Sequence, residues 1–307
     1  MTKLTASDAA TGDSFGCSVA VAGDVAVVGA DGDDDVGSAS GSAYVFERNA
    51  GGTNAWGQVA KLTASDAAAG DWFGYSVSVA GDVALVGARR DGDAGNASGS
   101  AYVFERDAGG TNAWGQVGKI VASDGTASDY FGSSVSLDGD VAVVGAYQDD
   151  DVGSASGSAY IFERNAGGTN AWGQVAKLTA SDGAADDYFG HSVSVAGHVV
   201  VVGAYGDDDA GGGSGSAYVF EQWFPPPESL FLEISFQGSG DLVCAWTSAV
   251  PVDYTVQFRD SLLVGAWSNL AGCVVLPGED GVIVVTNAVD SIQEGYYRIK
   301  AVNSPLR

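Results

Sequence analysis

Residues 61–118 read KLTASDAAAGDWFGYSVSVAGDVALVGARRDGDAGNASGSAYVFERDAGGTNAWGQVG, and this stretch recurs along the chain. Near-copies also open at Lys3, Lys119 and Lys177, so the period is 61 − 3 = 58 residues at each step. The four repeats occupy residues 3–60, 61–118, 119–176 and 177–224. A constant period of this length is the sequence signature of an array of equal structural modules.

Each repeat contains four short runs with the residue alternation of a β-strand. In the first repeat the runs are Ser18–Val21, Val25–Val28, Ala43–Phe46 and Trp56–Thr63. The pair Gly23-Asp24 between the first two runs is a two-residue hairpin signal. No stretch has a 3.6-residue apolar period, so we predict an all-β fold. Four antiparallel strands in a period of ~40–60 residues fit one blade of a β-propeller.

The size of the side chains predicts where each run lies in a blade. The first run is rich in Ser, Ala and Val, as expected of an inner strand near a crowded axis. Tyr44, Phe46 and Trp56 are large enough to fill the wider space between the outer strands. We expect Phe15 and its copies to pack between neighbouring blades.

Three motifs carry a resemblance to a known family. Phe15-Gly16, Gly29-Ala30 and the segment GSAYVF at 41–46 recur in phase. They resemble FG-GAP repeats, which build the seven-bladed propeller of integrin α chains and occur in many secreted bacterial proteins. The resemblance covers residues 3–224, although the family's Pro after Gly-Ala is replaced here by Asp31 and its counterparts. It implies a propeller, or partial propeller, of four four-stranded blades that binds or adheres at the cell surface or outside the cell.

The number of repeats leaves two alternatives for the propeller. In the fourth copy, Trp223 to Pro227 replace the segment that forms the outer strand elsewhere. Either Leu4-Thr5-Ala6 supply this strand and close a four-bladed ring, or the chain is an open array or a fragment of a longer protein. Closure would hide the two edges of the array.

The remaining residues have a different composition. Residues 225–228 read as a Pro-rich linker, and the repeat is lost in residues 229–307. Strand-like runs there cover 242–246, 254–258, 282–285 and 297–303. A Trp in an early strand and the late run YRIKAVN resemble a fibronectin type III module, which implies a small β-sandwich used as a spacer or for surface attachment. Cys244 and Cys273 either form a disulfide within it or remain two thiols.

The charge excludes some function classes. The chain has 39 acidic and 13 basic residues, and its net charge is −26. This charge repels phosphate, so we expect no nucleic-acid partner, and it disfavours an anionic membrane surface. No apolar run approaches ~18 residues, so we expect no membrane span. The first residues lack the apolar core of a signal peptide, and an extracellular location therefore rests on the family resemblance.

The loop after Gly-Ala is the candidate metal site. Two Asp hold the same offsets in all four repeats: Asp33 and Asp35, Asp91 and Asp93, Asp149 and Asp151, Asp207 and Asp209. Two carboxylates on a Gly-rich loop, with Ser40 or Ser42 nearby, suit Ca²⁺, which prefers oxygen ligands. The alternative is a solvated turn, since Asp and Gly are common turn residues. The calcium loop of the family lies elsewhere in its repeat and is not matched here, so calcium is a prediction from local chemistry.

Two further Asp positions flank the Phe-Gly turn. These are Asp8 and Asp13 with their copies, namely Asp66, Asp71, Asp124, Asp129, Asp182 and Asp187. They either join the cation site from a neighbouring strand or cap turns, and we favour turn capping.

An aromatic position beside the Phe-Gly turn is the candidate ligand site. Trp72, Tyr130 and Tyr188 occupy it, and Ser14 occupies it in the first repeat. These rings either bind a protein or glycan ligand on one face of the propeller, or pack internally. His191 and His198 stand at positions that vary between repeats, and no nucleophile motif accompanies them. We therefore expect a binding protein rather than an enzyme. The alternatives are a lectin, a propeller hydrolase and a purely structural repeat protein without a ligand.

Overall fold

The structure is a computed structural model that describes residues 2–111, 113–221 and seven strands between 233 and 302. The chain divides into two compact units, Met1–Trp223 and Phe224–Arg307. Strands and turns make up the described residues, which contain no helix, so the prediction of an all-β fold is confirmed. Within those residues, nothing has the helical length and apolarity needed to cross a bilayer.

The first unit consists of antiparallel sheets in chain order, which we call blades 1 to 4. Blade 1 contains β1 (Val19–Ala22), β2 (Val25–Ala30), β3 (Ser42–Glu47) and β4 (Gly57–Leu62). Blade 2 contains β5 (Phe73–Ala80), β6 (Val83–Ala88), β7 (Ser100–Glu105) and β8 (Gly115–Ile120). Blade 3 contains β9 (Ser134–Asp138), β10 (Val141–Ala146), β11 (Ser158–Glu163) and β12 (Gly173–Leu178). Blade 4 contains β13 (Phe189–Ala196), β14 (Val199–Ala204) and β15 (Ser216–Glu221).

The described residues give blade 4 three strands, whereas the other blades have four. The lack of an outer strand in the fourth repeat was expected from its sequence. Of the two alternatives, the closed ring is not observed. Leu4-Thr5-Ala6 lie outside the strands and pack against Val28 and Tyr44 of blade 1, and β15 pairs with β14 alone among the described residues. Residues 61–66 likewise continue from β4 and lie against blade 2. The four blades therefore form a partial propeller.

The first two strands of each blade form a tight hairpin. Ala22 pairs with Val25, so the loop is the two residues Gly23-Asp24. Gly23 has a φ of 55°, and glycine at the first central position is typical of a type II′ turn. The same φ occurs in the copies Gly81, Gly139 and Gly197, so one turn type sets the register in all blades.

The main apolar cores lie between blades. One buried cluster combines Val27 and Val45 of blade 1 with Val86 and Phe104 of blade 2. Phe73 is fully buried in this cluster, edge-on to Tyr102 and Phe104, with ring centroids 5.4 and 5.9 Å away. The prediction that this Phe packs between blades is confirmed. Each blade thus depends on its neighbour to bury apolar surface.

The glycines of the two motifs allow the backbones of adjacent blades to touch. A Cβ on Gly87 would overlap the carbonyl oxygen of Gly132, which belongs to blade 3. Gly41 has a φ of 82° and bridges to Phe73, whose N–H donates to the Ser40 carbonyl at 3.0 Å. The Phe-Gly and Gly-Ala motifs are therefore the two sides of one contact between blades.

The second unit contains two antiparallel sheets. One has the order β16 (Glu233–Phe236), β17 (Leu242–Thr247), β21 (Val282–Asn287), β20 (Val274–Leu276). The other has the order β19 (Ser268–Asn269), β18 (Asp253–Arg259), β22 (Tyr296–Val302). The four strand-like runs seen in the sequence all correspond to strands. The linker 225–228 and Cys273, with its predicted pairing to Cys244, lie outside the described residues.

Candidate functional site

Each of the first three blades holds three Asp carboxylates around one Lys ammonium. In blade 2, Lys119 Nζ lies 2.7 Å from Asp66 Oδ2 and 3.0 Å from Asp91 Oδ2, and it also contacts Asp93. The Tyr102 hydroxyl donates to Asp91 Oδ2 at 2.6 Å and reaches Asp66 Oδ1 at 2.9 Å. The five side chains form a hydrogen-bonded network that we call the acid–lysine cluster.

Four separate segments position this cluster. Asp66 comes from the turn that follows β4, and Asp91 and Asp93 come from the loop after β6. Lys119 on β8 lies directly opposite Tyr102 on β7 in the sheet register. The equivalent residues are Asp8, Asp33, Asp35, Tyr44 and Lys61 in blade 1 and Asp124, Asp149, Asp151, Tyr160 and Lys177 in blade 3. The lysine of one repeat therefore neutralises the acidic loop of the preceding repeat.

The contacts within the cluster stabilise its charges. Burial opposes the charged form of Asp66, but the hydrogen bonds from Lys119 and Tyr102 outweigh it and lower the pKa of this carboxyl. Burial also opposes the charge on Lys119, and the hydrogen bonds to Asp66 and Asp93 outweigh it and raise the pKa of the ammonium. Burial, with the nearby Asp91, raises the pKa of Tyr102. At neutral pH Asp66 is therefore a carboxylate, Lys119 an ammonium and Tyr102 a neutral phenol.

The predicted metal ligands do converge, since Asp66, Asp91 and Asp93 each bring a carboxylate oxygen to one point. The ammonium of Lys119 lies at this point and hydrogen-bonds to all three carboxylates. Ca²⁺ needs six to eight oxygen ligands and no competing cation. The residues of blades 1 to 3 therefore fit an internal lysine rather than a calcium ion, and calcium binding stays a prediction.

The two Asp positions beside the Phe-Gly turn have different roles. Asp71 Oδ2 accepts the backbone N–H of Ala68 at 2.7 Å, and Asp13, Asp129 and Asp187 make the same turn-capping bond. The Asp8 position was also expected to cap a turn, but Asp8, Asp66 and Asp124 bind Lys and Tyr in the clusters. The difference arises because residues 3–8 and their copies cross to the next blade, which sequence spacing does not show.

The fourth acidic loop has the same Asp and Tyr residues without a lysine among the described residues. The Tyr218 hydroxyl donates to Asp207 Oδ2 at 2.7 Å and lies 2.9 Å from Asp182 Oδ1. The neighbouring charges of Asp207 and Asp182 raise the pKa of Asp209. The sequence after Glu221 does not repeat the segment that carries the lysine in the other blades, which accounts for this difference.

The predicted ligand residues lie in a continuous row of partly exposed rings that we call the aromatic strip. The strip crosses blades 2 to 4 and consists of Trp72, Tyr75, Arg89, Tyr130, Tyr147, Tyr188, His191 and Tyr205. Stacked pairs occur along it: Trp72 on Tyr75 at 6.2 Å, Tyr130 on Tyr147 at 5.7 Å and Tyr188 on Tyr205 at 4.9 Å between ring centroids.

Arg89 joins the two parts of the strip. Its guanidinium carbon lies 3.9 Å from the ring centroid of Tyr75 and 5.6 Å from that of Tyr130. One of its nitrogens donates to the Tyr147 hydroxyl at 3.3 Å. Tyr147 also contacts Tyr188 and His191, at centroid distances of 6.1 and 5.5 Å. Stacking of this kind holds the rings in fixed positions without full burial.

The backbone at three strip residues is in an uncommon conformation. Trp72, Tyr130 and Tyr188 have φ values of 59°, 55° and 57°, in the left-handed region that bulky residues rarely occupy. Ser14 has a φ of 58° at the equivalent position of blade 1, so the turn itself imposes the geometry. The turn aims whichever side chain it carries at the same surface.

Trp72, Tyr130 and Tyr188 were recognised from sequence, although whether they bind or pack was left open. Sequence reasoning missed Tyr75, Arg89, Tyr147, His191 and Tyr205 and took their positions for unconstrained variation. The motifs could have indicated this proximity. Phe73 of the Phe-Gly motif pairs with Ala88 of the Gly-Ala motif, so residue 72, before the first motif, lies next to residue 89, after the second. Blade 1 carries Ser14, Cys17 and Asp31 at the equivalent positions, so the strip ends there.

The family model described as FG-GAP repeat matches residues 1–46, 56–104, 114–162 and 172–220. No curated protein matches the chain.

Proposed function

Because the chain belongs to the FG-GAP repeat family, we propose that it is a non-catalytic binding protein whose aromatic strip docks a protein partner. The observation that carries this proposal is the row of stacked, partly exposed rings across three consecutive blades. Trp, Tyr and Arg are the residues that dominate the binding energy of protein interfaces. A rigid scaffold with contact residues on its turns is a common arrangement for binding.

The strip is pre-organised for association. Its rings are already stacked on each other and on Arg89, so binding immobilises few additional rotamers. Tyr205 is 53 % exposed and presents one ring face, since its other face stacks on Tyr188. These features support a surface that gains affinity by covering aromatic area.

The net charge of the molecule favours a protein partner whose binding surface is surrounded by basic residues. The net charge of −26 favours encounter with cationic surfaces and repels nucleic acid. The family supports an extracellular or cell-surface location. The two sheets of the second unit suit a small fibronectin-like spacer or attachment module.

The acidic residues support a structural rather than a catalytic role. The lowered pKa values of Asp66 and Asp124 keep these carboxylates ionised, and internal donors occupy their oxygens. His191 packs edge-on against Tyr147 and Tyr205, where burial and the charge of Arg89 lower its pKa. A catalytic acid or base must lie within hydrogen-bond reach of a reacting group, rather than be held by internal partners as these residues are.

The test is binding of the full chain to a panel of immobilised matrix and cell-surface proteins. We expect Arg89→Ala with Tyr147→Ala to weaken the strongest interaction by about 30-fold or more, since even a single hot-spot residue contributes ~2 kcal/mol or more. The control is Trp172→Ala, which removes a ring that lies over Arg164 instead of in the strip. Equal loss in both variants, or no loss in the double variant, would contradict the proposal.

A glycan ligand is the second candidate, favoured by the flat exposed pair of Tyr188 and Tyr205. The same variants on a glycan array separate the two functions. Glycan binding that Tyr205→Ala abolishes, without any protein interaction, would favour the lectin function.

A further inference from the structure

The two ends of the first unit expose surfaces that are buried wherever two blades meet. On the side of a blade that faces the next one, Val27 and Val45 of blade 1 are fully buried. Their counterparts in blade 4, Val201 and Val219, are 36 % and 61 % exposed. Blade 4 therefore presents a formed interface surface that no described residue covers, which we call the forward face.

The opposite end presents the complementary surface. On the side of a blade that faces the preceding one, Val77 and Val79 of blade 2 are 8 % and 7 % exposed. The counterparts in blade 1, Val19 and Val21, are 70 % and 69 % exposed. We call this surface the rear face. Forward and rear faces pack together three times within the unit.

The charges of the two faces are complementary. Asp182, Asp207 and Asp209 lie beside β15, the edge strand of blade 4, and this acidic cluster has no lysine among the described residues. The rear face includes Lys3, the repeat counterpart of Lys61, and its side chain is exposed. In blades 1 to 3, its counterparts Lys61, Lys119 and Lys177 bind the acidic loop of the repeat that precedes their own.

A second pair of charged positions is also complementary between the two ends of the unit. Across the interfaces within the unit, Arg106 lies 3.5 Å from Glu47 and Arg164 lies 2.8 Å from Glu105. The counterparts at the two ends are Glu221 on the forward face, which is exposed, and Arg48 on the rear face. Two ion-pair positions therefore match in addition to the valines.

We propose that a second copy of this chain docks its rear face on the forward face of the first, repeating the interface between blades. Lys3 of one copy then binds Asp182, Asp207 and Asp209 of the other, Arg48 pairs with Glu221, and the exposed valines become buried. The contact joins two different surfaces, so it is a head-to-tail association. Continued docking gives either a closed ring or a longer array.

The test separates the two faces by mutation. Val21→Asp damages the rear face and leaves the forward face intact, whereas Val219→Asp does the reverse. Both side chains are exposed in the monomer, so neither change disrupts a core. The matched control is Val152→Asp, a valine that is 54 % exposed although both faces of its blade are covered.

Sedimentation of the full chain in 0.15 M salt measures the outcome. We expect the wild-type chain and Val152→Asp to associate, and each face variant alone to be monomeric, with dissociation constants raised at least 30-fold. A mixture of Val21→Asp and Val219→Asp should form a one-to-one dimer, because one intact forward face meets one intact rear face. Lys3→Glu should weaken association without changing the melting temperature of the dilute, monomeric chain.

Three results would overturn the proposal. A wild-type chain that stays monomeric up to about 100 μM would show that another part of the chain covers these faces. Association of a face variant with itself would indicate a symmetric contact instead. A mixture that remains monomeric would show that the two faces do not recognise each other.

Discussion

Blades 2 and 4 have nearly the same residues but differ in what covers them. Blade 2 lies between two neighbours, and its valines, its acidic loop and its motif glycine all contact blade 1 or blade 3. Blade 4 contacts blade 3 alone within the described part of the first unit. The same side chains are therefore core residues in one blade and surface residues in the other.

This comparison indicates that the interface between blades is the unit of stability in the propeller. An isolated four-stranded sheet has two faces to cover, and each apolar cluster here combines residues from two blades. In such an array, stability is the sum of module and nearest-neighbour contributions. Mutations at equivalent positions of blades 2 and 4 should then have unequal effects.

The largest difference is expected at the acid–lysine cluster. Lys119→Met leaves three carboxylates close together without their ammonium and should lower the free energy of unfolding by about 2–4 kcal/mol. This is less than for a fully buried pair, since Asp66 and Asp93 are partly exposed. Urea unfolding of the full chain measures the loss. The control Lys3→Met, at the same repeat position, should change stability by under ~0.5 kcal/mol at low protein concentration.

The next difference is expected at the motif glycine. Gly87→Ala places a methyl group against the backbone oxygen of Gly132 and should cost about 1–3 kcal/mol by overpacking. In blade 4, Gly203→Ala would meet only the side chain of Ser192, which can rotate away. Thermal unfolding of both variants checks this, and equal destabilisation would show that contact between blades is not the reason for the glycine.

The pH dependence of stability sharpens the same comparison. The pKa of Asp66 is lowered in the folded protein, so its contribution is present above the unfolded value of about 3.9 and is lost as pH falls through the folded value. The pKa of Lys119 is raised, so its contribution is present below about 10.4 and is lost as pH rises through the folded value. The stability difference between wild type and Lys119→Met should therefore be greatest between about pH 5 and pH 9. A constant difference down to pH 2 would contradict this.

The smallest effect is expected from calcium on the wild-type chain. Its melting temperature should change by under about 1 °C between chelator and millimolar calcium, because lysines already neutralise three of the four loops. Lys119→Met removes one ammonium and should make the melting temperature rise with calcium. A strong calcium effect in the wild type would restore the calcium interpretation of the Asp pairs.

Constant and variable positions of the repeat have separate roles. The motifs that recur in every copy, such as Phe73 and Gly87, lie between blades and maintain the array. The positions that vary, including those of Arg89 and Tyr147, lie together on one surface. The repeat positions that differ between the copies are therefore the best candidates for a binding function in this chain.

The sequence by itself determined the period, the strands and the hairpin turns. These features depend on local backbone geometry and residue alternation, which recur in register along the chain. The tertiary structure decided that Lys119 binds Asp91, that Asp66 joins them from the turn after β4, and that Tyr75, Arg89 and Tyr147 form one strip. These residues come from segments that meet only when strands pair and blades pack, because hydrogen bonds and ring contacts depend on distances in space.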